Sequence, residues 1–339
     1  MNDDQTIDPG VVIADDVAEA AGVSRWTVGR AFRKDAPISA KTRKRVLAAA
    51  AQLGYVPDLA AAGLASDRSG LIALLVNDFA NPHTLVVLER LSLILQNEGW
   101  GSLLVPMRDE SGAPDALLTA SQRRVDAAVL NGTWFDDQII KTALGARRVK
   151  KLIVFARTSE NPNTISISCD DVGALRDIVA FAFEKGYRRP LFVAGPDSHS
   201  ATVRRKDTFL QEWHRRSGAH APFIHVEQYN IGLAHARVLA ALTGPYQDRR
   251  PDILICENDA LAIGAIDAIR YGLGLSVPGD IGVIGYDDMP LAALPCYNLT
   301  TWHQPITDMA NALVEVLRQT SEPSRDQLFP GRFIQRGSA

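Results

Sequence analysis

The feature that most constrains this chain is a regular alternation of apolar runs and amphipathic segments from residue 71 onward. Strands that are covered on both faces read as continuous apolar runs. Such runs lie at 71–76, 101–106, 125–131, 151–156, 189–195, 251–258 and 280–288. Segments with helical periodicity lie between them, at 84–97, 173–185, 201–215, 232–242 and 259–271. This alternation predicts right-handed βαβ units that build doubly wound parallel sheets.

Polar residues follow several of these runs. Arg157 and Asp287 each stand at the end of an apolar run, and so do the pairs Asn77-Asp78 and Asn258-Asp259. Ligands of doubly wound sheets bind outside the carboxyl ends of the strands. We therefore expect these loops to form a small-molecule site.

The composition indicates a globular protein with a locally basic region. The 339 residues, 46% of them hydrophobic and 22% charged, are enough for two or three folding units. The net charge is only −3, yet residues 24–68 contain nine lysines and arginines against three aspartates. Residues 1–22 contain six acids and no basic residue. Such a basic block is either a solvated surface or a footprint for phosphate groups.

Several functions are disfavoured by the sequence. The cysteines Cys169, Cys256 and Cys296 are far apart, which argues against a metal site or a disulfide framework. The acidic N-terminus does not resemble a signal peptide, and the longest aliphatic run is too short to cross a bilayer. The sequence contains no P-loop, GxSxG, HExxH or GxGxxG pattern. We therefore expect a cytoplasmic protein, away from membranes, that is not an enzyme and uses neither cofactor nor metal.

The region before residue 56 predicts three short helices. Residues 16–21 form a helical pattern that Gly22 ends, and Ser24 is suited to cap the next helix. A third helix is expected at 39–53, with core positions Val46, Leu47, Ala50 and Leu53.

The second of these helices has two distinct faces. One face is apolar and carries Val28, Ala31 and Phe32. The opposite face carries Trp26, Gly29, Arg30 and Arg33. Two short helices joined by a glycine turn, the second with a basic outer face, are typical of a helix-turn-helix.

These residues also carry a resemblance to a known family. The stretches DVAEAAGVSRWTVGRAF (16–32) and ISAKTRKRVLAAAAQLGYVPD (38–58) resemble the headpiece of the LacI/GalR family of bacterial repressors. The similarity continues through VPGDIGVIGYDDMPLAAL (277–294) and LTTWHQP (299–305), so that it covers nearly the whole chain. The resemblance implies an N-terminal all-α helix-turn-helix headpiece and an α/β core of two Rossmann-like lobes, similar to a periplasmic sugar-binding protein.

The resemblance also implies a division into four parts. Residues 1–56 are the headpiece, and residues 57–70 are a hinge helix or linker. The N-lobe of the core comprises 71–169 and 302–328. The C-lobe comprises 170–301 and 329–339.

For DNA, the resemblance implies a homodimer, or a tetramer built from it, that binds a pseudo-palindromic operator on double-stranded DNA. The expected DNA contacts are Ser24, Arg25, Trp26, Thr27 and Arg30 from the second helix and Leu64 from the hinge. An arginine pairs bidentately with guanine, whereas Trp26 either contacts a thymine methyl or sugar or packs within the protein. Leu64 would insert into the minor groove, unless its segment is an ordinary linker.

Three residues depart from the family pattern near these contacts. Gly29 replaces a serine that helps to hold a backbone phosphate, so its absence should weaken positioning more than sequence reading. Ala62 and Gly63 stand where the family often has Arg-Ser. These departures put the strength of hinge-mediated binding in question.

For the core, the resemblance implies an effector bound between the lobes. The expected contacts are Asn81, His83, Trp134, Arg157, Arg205, Tyr229, Asp259 and Asp287. Asp259 either binds ligand hydroxyls or caps the helix that follows it. Arg205 either pairs with an acid or is a surface charge, in which case the adjacent Arg204 takes its role. Trp134 and Tyr229 either stack on the ligand or pack in the core.

The sequence thus predicts a DNA-binding transcriptional regulator of the repressor type, whose operator affinity is controlled by a small molecule. The loop 77–84 lacks the aromatic pair of the family, which favours a sugar or sugar derivative over a nucleobase. Asp171 stands where the family has asparagine and adds a charge of unassigned effect. The alternative is a solute-binding protein that shares the two-lobe fold and reads no DNA.

Overall fold

The fold is described from a computed structural model that covers residues 12–33, 36–57, 68–107, 113–132, 149–197, 202–319 and 324–339. Contacts divide the chain into two units, 1–69 and 70–339. The helices are α1 (Ala14–Ala21), α2 (Arg25–Ala31), α3 (Ala40–Leu53), α4 (Pro82–Asn97), α5 (Ala113–Gln122), α6 (Asp171–Glu184), α7 (Arg205–Ser217), α8 (Ile231–Thr243), α9 (Asp259–Asp267) and α10 (Ile306–Arg318). A π-helical turn, Ala268–Gly272, extends α9, and a short 3-10 helix covers Pro290–Ala293.

The strands belong to two parallel sheets and one short antiparallel pair. The strands are β1 (Leu71–Val76), β2 (Gly101–Pro106), β3 (Ala127–Asn131), β4 (Leu152–Phe155), β5 (Ile165–Cys169), β6 (Pro190–Ala194), β7 (Phe223–His225), β8 (Ile253–Cys256), β9 (Gly282–Ile284), β10 (Thr301–His303), β11 (Asp326–Phe329) and β12 (Arg332–Ile334). The first sheet has the order β11-β5-β4-β3-β1-β2, the second has the order β7-β6-β8-β9, and β10 pairs with β12.

The first unit packs its three helices around a small apolar core. The buried side chains are Val17, Ala18, Ala21, Val28, Ala31, Val46, Ala49 and Ala50. On α3 the buried positions 46, 49 and 50 follow the i, i+3, i+4 spacing of one helix face. The expectation that Leu47 and Leu53 belong to this core is wrong, because their side chains are 40% and 38% exposed. Leu47 is one residue beyond Val46 and so points away from that face.

The inner strands of the first sheet are buried on both faces, as the apolar runs predicted, but the expectation that 101–106 is a buried strand is wrong, because the edge strand β2 is largely exposed. Alternate side chains of β1 point to opposite sides of the sheet. Ile72 and Leu74 pack among residues of α4 and α10, whereas Ala73 and Leu75 pack among residues of α5. The two-layer covering accounts for the continuous apolar character of the run at 71–76.

The second sheet is covered in the same way. Leu191, Val193 and Leu254 pack against α8 and α9, whereas Phe192, Ala194, Ile253 and Ile255 pack against α6 and α7. Helices α8 and α9 approach closely at Gly264, where an added Cβ would lie 2.4 Å from the carbonyl oxygen of Ile231. The doubly wound α/β core is therefore confirmed.

Seven of the helices and strands were not expected from the sequence: α5, α10, β5, β7, β10, β11 and β12. Strand β5 lacks an apolar run because Ser166 and Ser168 are buried within it. The Ser166 hydroxyl accepts a hydrogen bond from the backbone N–H of Ser159 at 3.0 Å. A buried polar side chain that is hydrogen-bonded costs little, so the strand tolerates it.

Among the described residues, no helix combines the length and the apolar character needed to cross a bilayer.

Candidate functional site

The structure has two candidate sites, one in each unit, and the first is helix α2. Ser24 caps this helix, and its hydroxyl accepts a hydrogen bond from the backbone N–H of Thr27 at 3.3 Å. The hydroxyls of Ser24 and Thr27 also lie 3.0 Å apart. Gly22 ends α1 with a φ of 60°, a left-handed conformation that glycine adopts without strain. These features fix the start of α2 and the turn before it.

The outer face of α2 is open to solvent. Trp26 is 80% exposed, and Gly29 and Arg30 are exposed beside it. Arg25 pairs with Asp15 at 3.4 Å, but both side chains are largely exposed, so this ion pair contributes little. Packing of Trp26 in the core of this unit is therefore wrong. An exposed tryptophan beside exposed arginines is suited to contact another molecule.

Helix α2 is held at its other end by Arg43 of α3. The Arg43 guanidinium donates hydrogen bonds to the carbonyl oxygens of Ala31, Arg33 and Ala36, at distances of 2.8, 2.7 and 3.1 Å. The last carbonyl groups of a helix lack partners within the helix. Arg43 supplies a donor to the last carbonyl group of α2 and to two carbonyl groups beyond the helix, and so holds the end of α2 against α3.

Two of the predicted contacts, Leu64 and Trp134, lie outside the described residues, as do Ala62 and Gly63.

The second candidate site is a cavity in the core unit. It encloses about 430 Å³, part of it open to solvent, at the ends of strands that include β1, β3, β4 and β8. Six of the eight predicted effector contacts line it, namely Asn81, His83, Arg157, Arg205, Tyr229 and Asp287. The other lining residues include Asp78, Asn131, Asn258 and Gln304. We refer to it below as the first cavity.

Arg205 lies in the wall of the first cavity with its guanidinium held on several sides. Its Nε donates to Asp171 at 3.0 Å, and one Nη donates to the carbonyl oxygen of Glu257 at 2.9 Å. The guanidinium also lies over the ring of Tyr286, 3.6 Å from the ring centre. Burial alone would lower the pKa of Arg205, but Asp171, Tyr286, Asp287 and Tyr229 together outweigh it and keep the pKa well above its usual value. Arg205 is therefore the buried arginine, and Arg204 does not take its place.

Asp287 lies beside Arg205 and links two parts of the wall. Its Oδ1 accepts a hydrogen bond from Nε2 of Gln304 at 2.7 Å, and it lies 3.8 Å from an Nη atom of Arg205. The backbone φ of Asp287 is 119°, a strained value for a residue with a side chain. Strain of this kind is often retained where a side chain must be aimed at a ligand.

Tyr229 forms part of the wall and also belongs to the core. Its hydroxyl donates to Glu257 and accepts from Nη2 of Arg157 at 3.2 Å. Burial and the Glu257 carboxylate raise the pKa of the Tyr229 hydroxyl, so it stays protonated. With an exposed fraction of 2%, Tyr229 presents little of its ring to the cavity. Of the two roles that the sequence left open, the structure confirms packing in the core, and stacking on a ligand stays a prediction.

Two titratable groups of the first cavity have shifted pKa values. Burial raises the pKa of Asp78 to about 6, against the opposing effect of Arg157. Burial also lowers the pKa of His83, so that its imidazole is neutral at pH 7. A neutral imidazole has one donor and one acceptor nitrogen.

Several buried polar atoms of the first cavity lack a hydrogen-bond partner among the described residues. They are both ring nitrogens of His83, Nδ2 of Asn131, Nδ2 of Asn258 and Oε1 of Gln304. Buried polar atoms are normally hydrogen-bonded, and leaving one unpaired costs about 1–3 kcal/mol. A ligand with several hydroxyl groups would satisfy these donors and acceptors together.

Asp259 has a different place from the one expected. It is fully buried, and its carboxylate accepts from the Thr301 hydroxyl at 2.6 Å and from the backbone N–H of Met289 at 2.8 Å. Burial and the neighbouring Asp287 raise its pKa well above the usual value. Asp259 does not line the first cavity. The helix is capped by Asn258, which accepts from the N–H of Leu261 at 3.0 Å, so the expected cap at Asp259 is wrong.

Asn131, Asn258 and Gln304 line the first cavity but were not among the effector contacts expected from the sequence. Asn131 ends β3, and Asn258 follows β8, so both have the strand-end position that singled out other residues. Gln304 follows the short strand β10 and had no such signal. Neutral amides add nothing to a charge pattern, which is why the sequence did not reveal them.

Together the two units define a class of protein. A helix-turn-helix with an exposed basic face, followed by a two-sheet α/β core with a polar cavity, is the architecture of a ligand-controlled DNA-binding regulator. Comparisons with known proteins agree. A family model described as bacterial regulatory proteins of the lacI family matches residues 14–58, and one described as a periplasmic binding protein-like domain matches residues 179–339. Residues 14–58 are thus similar to the lacI family of bacterial regulatory proteins, and the second half of the core is similar to a periplasmic binding protein-like domain.

Similar proteins span almost the whole chain. The HTH-type transcriptional regulator MalR of Streptomyces coelicolor is 27% identical, and the alignment covers 95% of each chain. The lactose operon repressor of Escherichia coli is 28% identical, with 95% of this chain and 89% of the repressor covered. A crystal structure of the Lac repressor dimer bound to operator and an anti-inducer has a TM-score of 0.79 and 26% identity, covering 96% of this chain and 98% of that one.

Proposed function

We propose that this protein is a sequence-specific DNA-binding transcriptional regulator, a repressor, whose operator affinity is controlled by a small-molecule effector. The observation that carries the proposal is the pairing of two sites in one chain. Helix α2 exposes Trp26 and Arg30, while the first cavity presents buried polar atoms without partners. Neither a solute-binding protein nor an enzyme has use for the first of these surfaces.

DNA contact is assigned to Arg25, Trp26 and Arg30 on the exposed face of α2, and to Ser24 and Thr27 at its start. The exposed arginines are suited to guanine, and the tryptophan to an apolar contact with a thymine methyl or a sugar. The repressor of similar fold is a dimer on its operator. A homodimer would place two copies of α2 in successive major grooves of a pseudo-palindromic site.

The effector is assigned to the first cavity and is a sugar or sugar derivative. The unpartnered atoms include amide donors of Asn131 and Asn258 and an acceptor of Gln304, and Arg205 and Asp287 lie beside them. Polyols are satisfied by such mixed donors and acceptors. Relatives of this chain are named as repressors of sucrose, lactose and ribose operons.

The test is DNA binding by the purified full-length protein. A preferred site is first selected from random duplexes, and the affinity is then measured by fluorescence anisotropy at several salt concentrations. We expect Arg30→Ala to lose about 1–3 kcal/mol of preference for the selected site over random DNA. Arg216→Ala, at an exposed position of the core helix α7, removes the same charge and serves as the control.

The selection itself decides the DNA-reading part of the proposal. A regulator should enrich a pseudo-palindromic site, and its affinity should fall steeply with salt. Selection without an enriched site, or full preference in Arg30→Ala, would contradict the assignment of α2.

A further inference from the structure

A second cavity adjoins the first in the core unit. It encloses about 900 Å³, part of it open to solvent, and is lined by residues of α4, the start of α10 and the segment 330–332. Three side chains line both cavities, namely His83, Asp287 and Gln304. The two cavities are therefore neighbours that share one wall.

The shared wall is polar, and part of it lacks partners. His83 and Gln304 are 6% and 3% exposed, yet both ring nitrogens of His83 and Oε1 of Gln304 have no hydrogen-bond partner among the described residues. Because the His83 imidazole is neutral, it offers one donor and one acceptor. A group that passes between the cavities thus meets donors and acceptors that match hydroxyls and an ether oxygen.

The second cavity has a lining that suits a neutral ring with hydroxyl groups. Val86, Pro305, Ile306 and Pro330 supply apolar surface, which can pack against the C–H face of a sugar ring. Polar groups surround this surface. They are Arg90, Asp288, His303, Asp308 and Arg332.

The charges of the second cavity balance. Asp288 accepts hydrogen bonds from Arg336 at 2.6 Å and from Nδ1 of His303 at 3.0 Å, so its charge is compensated within the protein. Arg90 and Arg332 face a lining that also holds Asp308 and Asp287. This balance gives no preference for a phosphate or an ammonium group, and it favours an uncharged ligand.

We propose that the second cavity is a subsite for a second sugar ring, so that the effector has at least two linked rings, as a disaccharide or a glycoside does. One ring occupies the first cavity, and the linkage passes His83, Asp287 and Gln304. This inference rests on the proposed function and narrows its effector class. The second cavity continues the first past the wall that they share, so a ligand that reaches both cavities is longer than one ring.

The test compares one-ring and two-ring sugars on the full-length protein. Glucose, galactose and fructose are compared with maltose, cellobiose, trehalose, lactose and sucrose by thermal shift, and sugars that stabilise are titrated by calorimetry. A ligand that binds only the folded state raises the melting temperature in proportion to its occupancy. We expect a two-ring sugar to bind at least tenfold more tightly than the one-ring sugars that compose it.

Variants of the second cavity make the test specific. Val86→Trp fills the cavity and should lower the affinity for the two-ring sugar at least tenfold while leaving the affinity for its one-ring components within twofold. Glu89→Trp places the same side chain at an exposed position of α4 that lines neither cavity, and it should change neither affinity. Arg332→Ala, at an exposed position of the second cavity, gives the same selective loss without altering a packed side chain.

The outcomes separate this inference from the proposed function. Undiminished two-ring binding in both Val86→Trp and Arg332→Ala, or no stabilisation by any two-ring sugar, overturns the second subsite. If a one-ring sugar alone changes the affinity for the selected DNA site, the subsite is overturned and the proposed function stands. If sugars bind but none changes DNA affinity, the proposed control by effector fails.

Discussion

Asp171 determines how Arg205 is presented to the first cavity. One carboxylate oxygen accepts hydrogen bonds from Nε of Arg205 and from the hydroxyl of Tyr286, at 3.0 and 2.8 Å, and the other accepts from the backbone N–H of Arg204 at 3.1 Å. The charge that the sequence left without a role therefore neutralises and orients a buried arginine. Since Asp171 already compensates Arg205, the guanidinium is a poor partner for an anionic ligand.

Replacing Asp171 by asparagine should expose the cost of this buried arginine. Asp171→Asn keeps a hydrogen-bond acceptor but removes the charge, so we expect the free energy of unfolding to fall by about 1–3 kcal/mol. Asp177→Asn, at an exposed position of the same helix, should change it by less than about 0.5 kcal/mol. Urea denaturation measures both. Equal stability of the two variants would mean that Arg205 does not depend on Asp171.

Asp78 makes both stability and effector binding depend on pH. Its pKa is about 6 in the folded protein and near 3.8 in an unfolded chain. The folded state therefore holds this proton more tightly, and ionisation of Asp78 destabilises the fold progressively as the pH rises from 4 to 6. Asp78→Asn should be about as stable as the wild type at pH 4 but about 1–2 kcal/mol more stable at pH 7.5. This figure is smaller than the full pKa shift implies, because the Asp78 side chain is partly exposed and solvent screens its charge.

Effector binding should respond in the opposite direction. Ionised Asp78 lines the first cavity and accepts hydrogen bonds from hydroxyl groups, so the affinity should weaken as the pH falls through 6. Calorimetric titration of the stabilising sugar at pH 7.5 and at pH 5 measures this change. A wild-type pH dependence that persists in Asp78→Asn would assign the effect to another group.

Gly29 offers a test of how α2 faces DNA. A Cβ added at this position meets no atom within 4 Å, and the backbone is helical, so both serine and alanine fit. Either substitution should stabilise α2, by up to about 1 kcal/mol for alanine. Only Gly29→Ser supplies a hydroxyl for a phosphate, and we expect it to tighten binding to selected and random DNA alike. Equal affinities of Gly29→Ser and Gly29→Ala would show that no phosphate lies there.

At the scale of elements, α2 depends on α3 for its position. The Arg43 guanidinium donates hydrogen bonds to the carbonyl oxygens of Ala31, Arg33 and Ala36. We expect Arg43→Met to weaken DNA binding by about tenfold or more, since several hydrogen bonds of about 1 kcal/mol each are lost. Effector affinity should be unchanged, because Arg43 belongs to the other unit. Lys44→Met, at the exposed neighbouring position, controls for the lost charge, and equal loss in both variants would contradict a positioning role.

The elements that could be predicted from the sequence are those whose pattern follows from burial. Both faces of β1 are covered, so its run is apolar, and α2 is amphipathic because only one of its faces meets the core. Strand β5 was not predicted because buried serines, Ser166 and Ser168, replace apolar residues in it. Leu47 and Leu53 were wrongly predicted to be core residues. Helix α3 packs on two shorter helices, so it buries a narrower face than its apolar residues suggest.

The candidate effector site was predictable to the extent that its residues are charged or stand at strand ends. Arg157 and Asp287 meet both conditions, and the structure places both in the first cavity. Asp259 meets them too, but Thr301 and Met289 satisfy its carboxylate from outside the expected ligand site. Gln304 meets neither, because its position depends on a segment that is distant in sequence. Contacts between distant segments are the part that pattern analysis does not supply.

At the scale of the molecule, the chain joins a DNA-reading unit to a core with two adjoining polar cavities. Effector control requires that the effector bind the DNA-binding conformation and the alternative conformation with different affinities. The coupling between two ligands is reciprocal, and typical couplings are about 1–3 kcal/mol, or about 5- to 150-fold in affinity. The sign of the coupling distinguishes induction from corepression.

The most direct test of this account measures that coupling from both sides. Affinity for the selected DNA site is measured with and without a saturating sugar, and affinity for the sugar is measured with and without saturating DNA. We expect both affinities to change by the same factor, of at least about fivefold. A sugar that occupies the core and leaves DNA affinity unchanged, tested over every sugar that binds, would contradict the central claim.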